Sequence, residues 1–268
     1  MKDHVRRLIE NTKDALLKRC VAREYLQARI LQCLQEDGVF MRWAFLGGTA
    51  LRFLYSIPRY SEDLDFSTVK PGESIGFRSA MKRIQAVFTT EGYSHSIKVN
   101  RQKTVSSAFI RFSGLLYELE LSPHQSQTLS IKVEVDTNPP AGATTDTTLV
   151  RRHVTLNLHH HDKASLLSGK LHALLCRSWM KGRDLYDIIW YLADRSWPEP
   201  NLPLLKAALR QTSWPGPDIT IDNWRSILKD RLISANWEKA RADVLPFLER
   251  EGDVDLLTLE NASGLLEG

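Results

Sequence analysis

Asp63 and Asp65 stand two residues apart around Leu64, in the run Ser61-Glu62-Asp63-Leu64-Asp65-Phe66-Ser67. In an extended chain, residues i and i+2 project from one face, so the two carboxylates lie side by side while Leu64 turns the other way. Placed like that they repel, and each raises the other's pKa unless a cation sits between them. A divalent metal removes the conflict. Hard oxygen ligands suit Mg²⁺, which keeps several waters and binds through a few carboxylates plus substrate phosphates, with Mn²⁺ as a substitute. Upstream, Gly47-Gly48-Thr49 interrupts a short apolar run. Backbone without side chains at the start of a helix presents N–H groups and the positive end of a dipole, which welcomes phosphate. A Gly-Gly or an Asp-x-Asp alone is common in loops and solvated turns. Together, one turn for a triphosphate and one acidic pair for its metal describe a site that transfers a nucleotide.

The elements that must position these groups can be read around them. Residues 43–46 form an apolar run expected as a buried strand, and Thr49 is a fair N-cap for a short helix with Leu51, Leu54 and Tyr55 on one face. Pro58 should stop that helix, and the chain returns through Arg59 and Ser61 to the acidic strand. Ahead of it, residues 3–35 carry the spacing of one or two amphipathic helices. Behind it, Pro71-Gly72-Glu73-Ser74 marks a loop and 77–90 has helical spacing that closes at Gly92. The period then changes to two, with strands expected over 94–100, 107–113, 115–121 and 129–136. Alternation in the last puts Ile131, Val133 and Val135 on one face and Lys132, Glu134 and Asp136 on the other. Either acidic residue could add a third carboxylate to the pair, although a solvated sheet face explains such a triplet equally well.

Residues 138–146, rich in proline and small polar side chains, read as a seam, which suggests domains over 1–150 and 151–268. A short strand is expected at 154–158. His159-His160-His161 cannot all face one metal from a regular element. Asp162 can cap a helix that puts Lys170 on one face with Ala173 and Arg177, and Lys181, Arg183, Asp184 and Asp187 crowd around Gly182. Beyond residue 200 apolar residues and tryptophans recur at helical spacing, and the acidic tail 253–268 is expected to be partly mobile.

Composition excludes little. The 268 residues carry 43% hydrophobic side chains and a formal charge of +4, enough for a sizeable core and compatible with a nucleic-acid partner. No apolar run reaches the length of a membrane span, the first residues lack a signal-peptide core, and three scattered cysteines argue against a disulfide framework, so a cytoplasmic location is expected.

The run Gly47-Gly48-Thr49-Ala50-Leu51-Arg52, followed by Arg59-Tyr60-Ser61-Glu62-Asp63-Leu64-Asp65-Phe66, resembles the AbiEii/AbiGii toxin family of the DNA polymerase beta-like nucleotidyltransferase superfamily. So do Lys170-x-x-Ala173-Leu174 and Lys181-Gly182-Arg183-Asp184-x-x-Asp187 in the second half. The resemblance implies an α+β fold, with a nucleotidyltransferase-like mixed sheet flanked by helices and a mostly helical C-terminal half closing the cleft. It implies that Asp63 and Asp65 hold two Mg²⁺ ions and favours Glu134 over Asp136 as third ligand. Gly47, Gly48 and Thr49 would cradle the triphosphate, Arg59 and Ser61 would assist, and Lys170 would neutralise phosphate charge. Asp184 would position Lys170, Arg183 or the acceptor. The implied function is a toxin that moves nucleotides from a nucleoside triphosphate to RNA, at the tRNA 3′ end, and meets a cognate antitoxin. Two other readings stay open: a protein or antibiotic-like small-molecule acceptor, and a degenerate fold that only binds.

Overall fold

The computed structural model describes residues 2–12, 14–70, 75–102 and 104–267; the loop expected at Pro71-Gly72-Glu73-Ser74 lies outside them. The chain divides into two compact units, one of residues 1–56, 60–139 and 147–160, the other of 57–59, 140–146 and 161–268.

The first unit begins with helices α1 (Lys2–Glu10) and α2 (Ala15–Glu36). Asp14 starts α2 by accepting the N–H groups of Leu16 and Leu17 at 2.8 and 2.9 Å, which satisfies two donors that the first turn leaves open. There follow β1 (Trp43–Leu46), α3 (Gly47–Tyr55), β2 (Leu64–Thr68), α4 (Phe77–Thr90), β3 (His95–Arg101), β4 (Val105–Phe112), α5 (Leu115–Glu118), β5 (Leu129–Asp136), β6 (Thr145–Arg151) and β7 (Thr155–His161). The seven strands found among the described residues form one sheet in the order β3-β4-β5-β2-β1-β7-β6. It is mixed: β2 runs parallel to β5 and β1 to β7, while β1–β2, β3–β4 and β4–β5 are antiparallel. One face is apolar. Phe45 and Phe66 meet at 5.2 Å between ring centroids, Trp43 and Phe66 at 5.5 Å, and Ile131, Val133 and Val135 are buried on β5. These contacts fix the pleat of β1, β2 and β5, and with it the direction of every side chain on the opposite face.

Two expectations in this unit are corrected, and one strand had no forewarning. Residues 115–121 are a turn of helix, Leu115–Glu118, followed by a turn, not a strand: Gly114 takes φ +71°, Glu118 N–H donates to Gly114 O, and Leu115, Leu116, Leu119 and Leu121 are all buried, an apolar run too short for its period to decide. Strand β6 was hidden because of its residues only Val150 is buried, leaving no alternation to read. And α3 starts at Gly47, so Thr49 lies inside its first turn and does not cap it.

The second unit is helical, with α6 (Lys163–Cys176), α7 (Gly182–Leu192), α8 (Leu202–Gln211), α9 (Trp224–Ile233), α10 (Trp237–Val244) and α11 (Leu259–Glu267). Asp162, Asn201 and Asn236 cap α6, α8 and α10 by accepting N–H groups of Ser165, Leu204 and Lys239. The acidic tail is ordered, contrary to expectation. Leu257, Ala262 and Leu266 are buried and α11 packs against α7 and α9, so its few apolar residues suffice to dock it.

Candidate active site

In the first unit the acidic residues are placed by ladder register. Leu46 pairs with Asp65 across β1 and β2, and Asp65 pairs with Glu134 across β2 and β5. Register partners share a face and stand about 4.8 Å apart, so these carboxylates start from neighbouring strands and point the same way. Asp63, exposed just before β2, precedes Asp65 by one pleat period, and Leu64 between them is fully buried. Asp136 pairs instead with Ser67, one pleat period beyond Glu134. Its Oδ1 accepts the Asn138 N–H at 2.9 Å, and burial together with the charge of Glu134 pushes its carboxyl up.

The diglycine turn lies against this face. Gly47 adopts φ +83°, and a Cβ built on it would stand 2.7 Å from Asp65 Oδ2 and 3.3 Å from Asp65 Cβ. Only a residue with no side chain lets the helix start pass under the carboxylate. No side chain caps α3, so the N–H groups of its first turn keep their donor capacity for something else. Thr49 is buried, and its hydroxyl donates to the backbone carbonyl of Asp63, tying the helix to the start of the acidic strand. From the other side Gln27 Nε2 on α2 donates to the carbonyls of Ser61 and Glu62 at 3.1 and 2.9 Å. The segment that delivers Asp63 is thereby held at both ends. Arg52 on α3 is anchored to buried Glu24 at 2.5 Å, and Arg152 and His153 each reach the same carboxylate at 2.9 Å. Burial opposes the charge of Glu24, but the His153 hydrogen bond and the two guanidinium groups overrule it and bring its pKa down to about 2.

Lys132, two residues before Glu134 and so on its face, forms an ion pair with it. Burial works against the ammonium, yet Glu134, then Asp63 and Asp65, hold its proton more firmly than usual. The acidic cluster thus already has a cation beside it. Among the described residues, no three His, Cys, Asp or Glu side chains are gathered so that they could hold a metal ion. The donor set itself, all carboxylate oxygen beside a helix start, fits Mg²⁺ completed by substrate phosphates better than a softer ion.

The second unit collects the other expected residues. Arg59 is buried and makes a two-pronged ion pair with Asp187, both contacts 2.5 Å. Lys170 Nζ lies 2.9 Å from Asp184 and 2.7 Å from Asp187, and Arg177 pairs with Asp184. Burial disfavours the charge of Lys170, but the two carboxylates prevail and raise its pKa. Asp184, likewise against its burial, is drawn down to about 2 by Lys170 and Arg177. Arg183 lies over the Phe247 ring, 4.3 Å from the centroid. Gly182 is a packing glycine: a Cβ there would lie 1.9 Å from Ala240 O on α10. The sequence placed Asp187 in the cluster around Gly182 without its partners Arg59 and Lys170, and gave Lys132 no role. The signal was present, in the i,i+3 spacing of Asp184 and Asp187 on one helix and the i,i+2 spacing of Lys132 and Glu134 on one strand.

With this geometry in view, comparison with known proteins decides the family. The model of the nucleotidyl transferase AbiEii toxin family, of type IV toxin–antitoxin systems, matches residues 29–258. This chain is an AbiEii-family protein. It is a nucleotidyltransferase, and the family brings with it a nucleoside triphosphate substrate and an antitoxin partner. Among solved structures it is similar to MenT4, a nucleotidyltransferase toxin from Mycobacterium tuberculosis, with TM-score 0.53 and 16% identity over 99% of each chain. It is also similar to JHP933 from Helicobacter pylori, with TM-score 0.47 and 18% identity over 92% of this chain and 88% of the other. At these identities the MenT4 match speaks for the fold of this AbiEii-family chain alone. No curated protein matches the sequence. None of the described helices is long and apolar enough to cross a membrane.

Proposed function

We propose that this AbiEii-family toxin transfers a nucleotide from a nucleoside triphosphate to an RNA 3′ hydroxyl, that of tRNA, in the cytoplasm. The observation that carries the reading is the register of Asp65 against Glu134, with the Gly47 backbone directly under Asp65 Oδ2. Asp63 and Asp65 would hold Mg²⁺, with Glu134 added on leaving Lys132; bound there, the ion screens phosphate charge and lowers the pKa of the attacking hydroxyl. The uncapped N–H groups at Gly47, Gly48 and Thr49 receive the triphosphate oxygens. Thr49 contributes through its backbone and through its grip on the Asp63 carbonyl, and Gln27 holds Ser61 and Glu62 so that the strand cannot drift. The hydroxyl oxygen attacks the α-phosphorus in line, the bond to the bridging oxygen of the β-phosphate breaks, and pyrophosphate leaves. Lys170 is kept charged by Asp184 and Asp187.

The test is incubation of the protein with labelled nucleoside triphosphates, Mg²⁺, and either total RNA or total protein. Label in RNA, lost in a folded Asp65→Ala variant and on chelation, is expected. Label in polypeptide moves the acceptor to protein, and growth arrest undiminished by folded Asp65→Ala refutes the role given to that carboxylate.

A further inference from the structure

The face that carries Asp65 and Glu134 does not end with them. Register extends it across β5, β4 and β3 in ordered rows. Glu134 pairs with Ser107, which pairs with Asn100; Lys132 pairs with Phe109, which pairs with Lys98; and Ser130 pairs with Arg111, which pairs with Ser96. On the reverse face Ala108, Ile110, Ile131 and Val133 are buried in the core. On this one Lys98, Asn100, Phe109 and Arg111 are exposed, Phe109 to 37%. A lone exposed phenylalanine is ordinary. This one is surrounded by cations from its own and a neighbouring strand, with Arg111 Cζ 5.8 Å and Lys132 Nζ 6.0 Å from the ring centroid and Lys98 in register on the far side. Proteins that hold single strands combine these two things, an aromatic ring for a base to stack on and basic groups for the phosphates. Sheet faces are a recurrent place for them.

We infer that the β3-β4-β5 face is the acceptor platform: a single-stranded RNA end lies across it with a base on Phe109 and phosphates near Lys98 and Arg111. This rests on the reading that the acceptor is RNA. Phe109 is two strands from Asp65, roughly 10 Å, which suits a base just behind the reacting nucleotide. Charge argues against a peptide in the same place. The positions flanking Phe109 are basic or neutral, and the carboxylates begin only at the row of Glu134, where a phosphate chain must end in any case.

The experiment is fluorescence anisotropy of a labelled single-stranded oligoribonucleotide with a free 3′ hydroxyl, on the full chain without nucleoside triphosphate. Phe109→Ala should bind about ten-fold or more weakly, the loss of one stacked base, and Phe109→Trp should restore binding. Lys98→Gln with Arg111→Gln should lower the slope of log affinity against log salt by about 1.4. In turnover, Phe109→Ala should raise KM for RNA and leave KM for the nucleotide in place. Unchanged affinity and RNA KM in Phe109→Ala overturn the platform even if RNA is labelled. Weakened binding in a protein that labels no RNA keeps the platform and removes the transfer reading. Label in polypeptide with no RNA binding by the wild type overturns both.

Discussion

Replacing Gly47 with alanine should injure activity far more than stability. At φ +83° an L side chain costs about 1–2 kcal/mol, which in a chain of this size lowers Tm by several degrees, at about 2–4 °C per kcal/mol. The new methyl would also stand 2.7 Å from Asp65 Oδ2, where ordinary contact needs 3.4 Å, so the carboxylate or the turn must move by about 0.7 Å. Retreat is limited. Asp65 is held in the ladder between Leu46 and Glu134, and the helix is tied through Thr49 to the Asp63 carbonyl. Displacement approaching 1 Å in a site that works by alignment costs roughly 10²-fold in rate. The assay is initial rate of nucleotide incorporation into RNA by folded Gly47→Ala, beside its thermal unfolding curve. An unchanged rate would refute the claim that the turn is shaped around Asp65. A collapsed fold would refute the claim that the cost is local.

Two further outcomes follow from buried charges. Asp187→Asn removes the buried carboxylate that both Arg59 and Lys170 contact, so urea unfolding should report a loss of about 3–5 kcal/mol; a loss below about 1 kcal/mol would mean that the pair is not isolated from water. Glu24 and Asp184 are both brought to about 2 in the fold, from 4.5 and 3.8, so the unfolded chain binds more protons as acid is added. Their contribution, on the order of 2–3 kcal/mol each, is complete above about pH 5 and is lost as pH falls from there toward 2. Urea midpoints measured down that range should fall less steeply in Glu24→Gln than in the wild type, and parallel curves would contradict the assignment.

Much of the first unit could be read in advance because its period is local. Residues 43–46 carry an unbroken apolar run, 77–90 helical spacing and 129–136 clean alternation, and the elements occupy those spans. That Asp65 and Glu134 lie on the polar faces of their strands was likewise legible, since the two-residue period of a strand says which side chains share a face. Where the signal was local but ambiguous, as at 115–121, burial of every leucine decided for helix. What spacing could not supply was the destination of long side chains. Arg59 stands four residues from Asp63 and was expected near phosphate, but it closes on Asp187, 128 residues away. The pattern Lys181-Gly182-Arg183-Asp184 looked like one dense site, and its members separate into a packing glycine, a guanidinium on an aromatic ring and a carboxylate holding Lys170.

Residues 57–59 belong to the helical unit although the chain on both sides of them belongs to the sheet. Neither unit is therefore one continuous length of polypeptide. A gene fragment ending near residue 150 would encode Arg59 while omitting Asp187, the carboxylate it closes on. A cut at any single point of the gene therefore divides the residues of at least one unit.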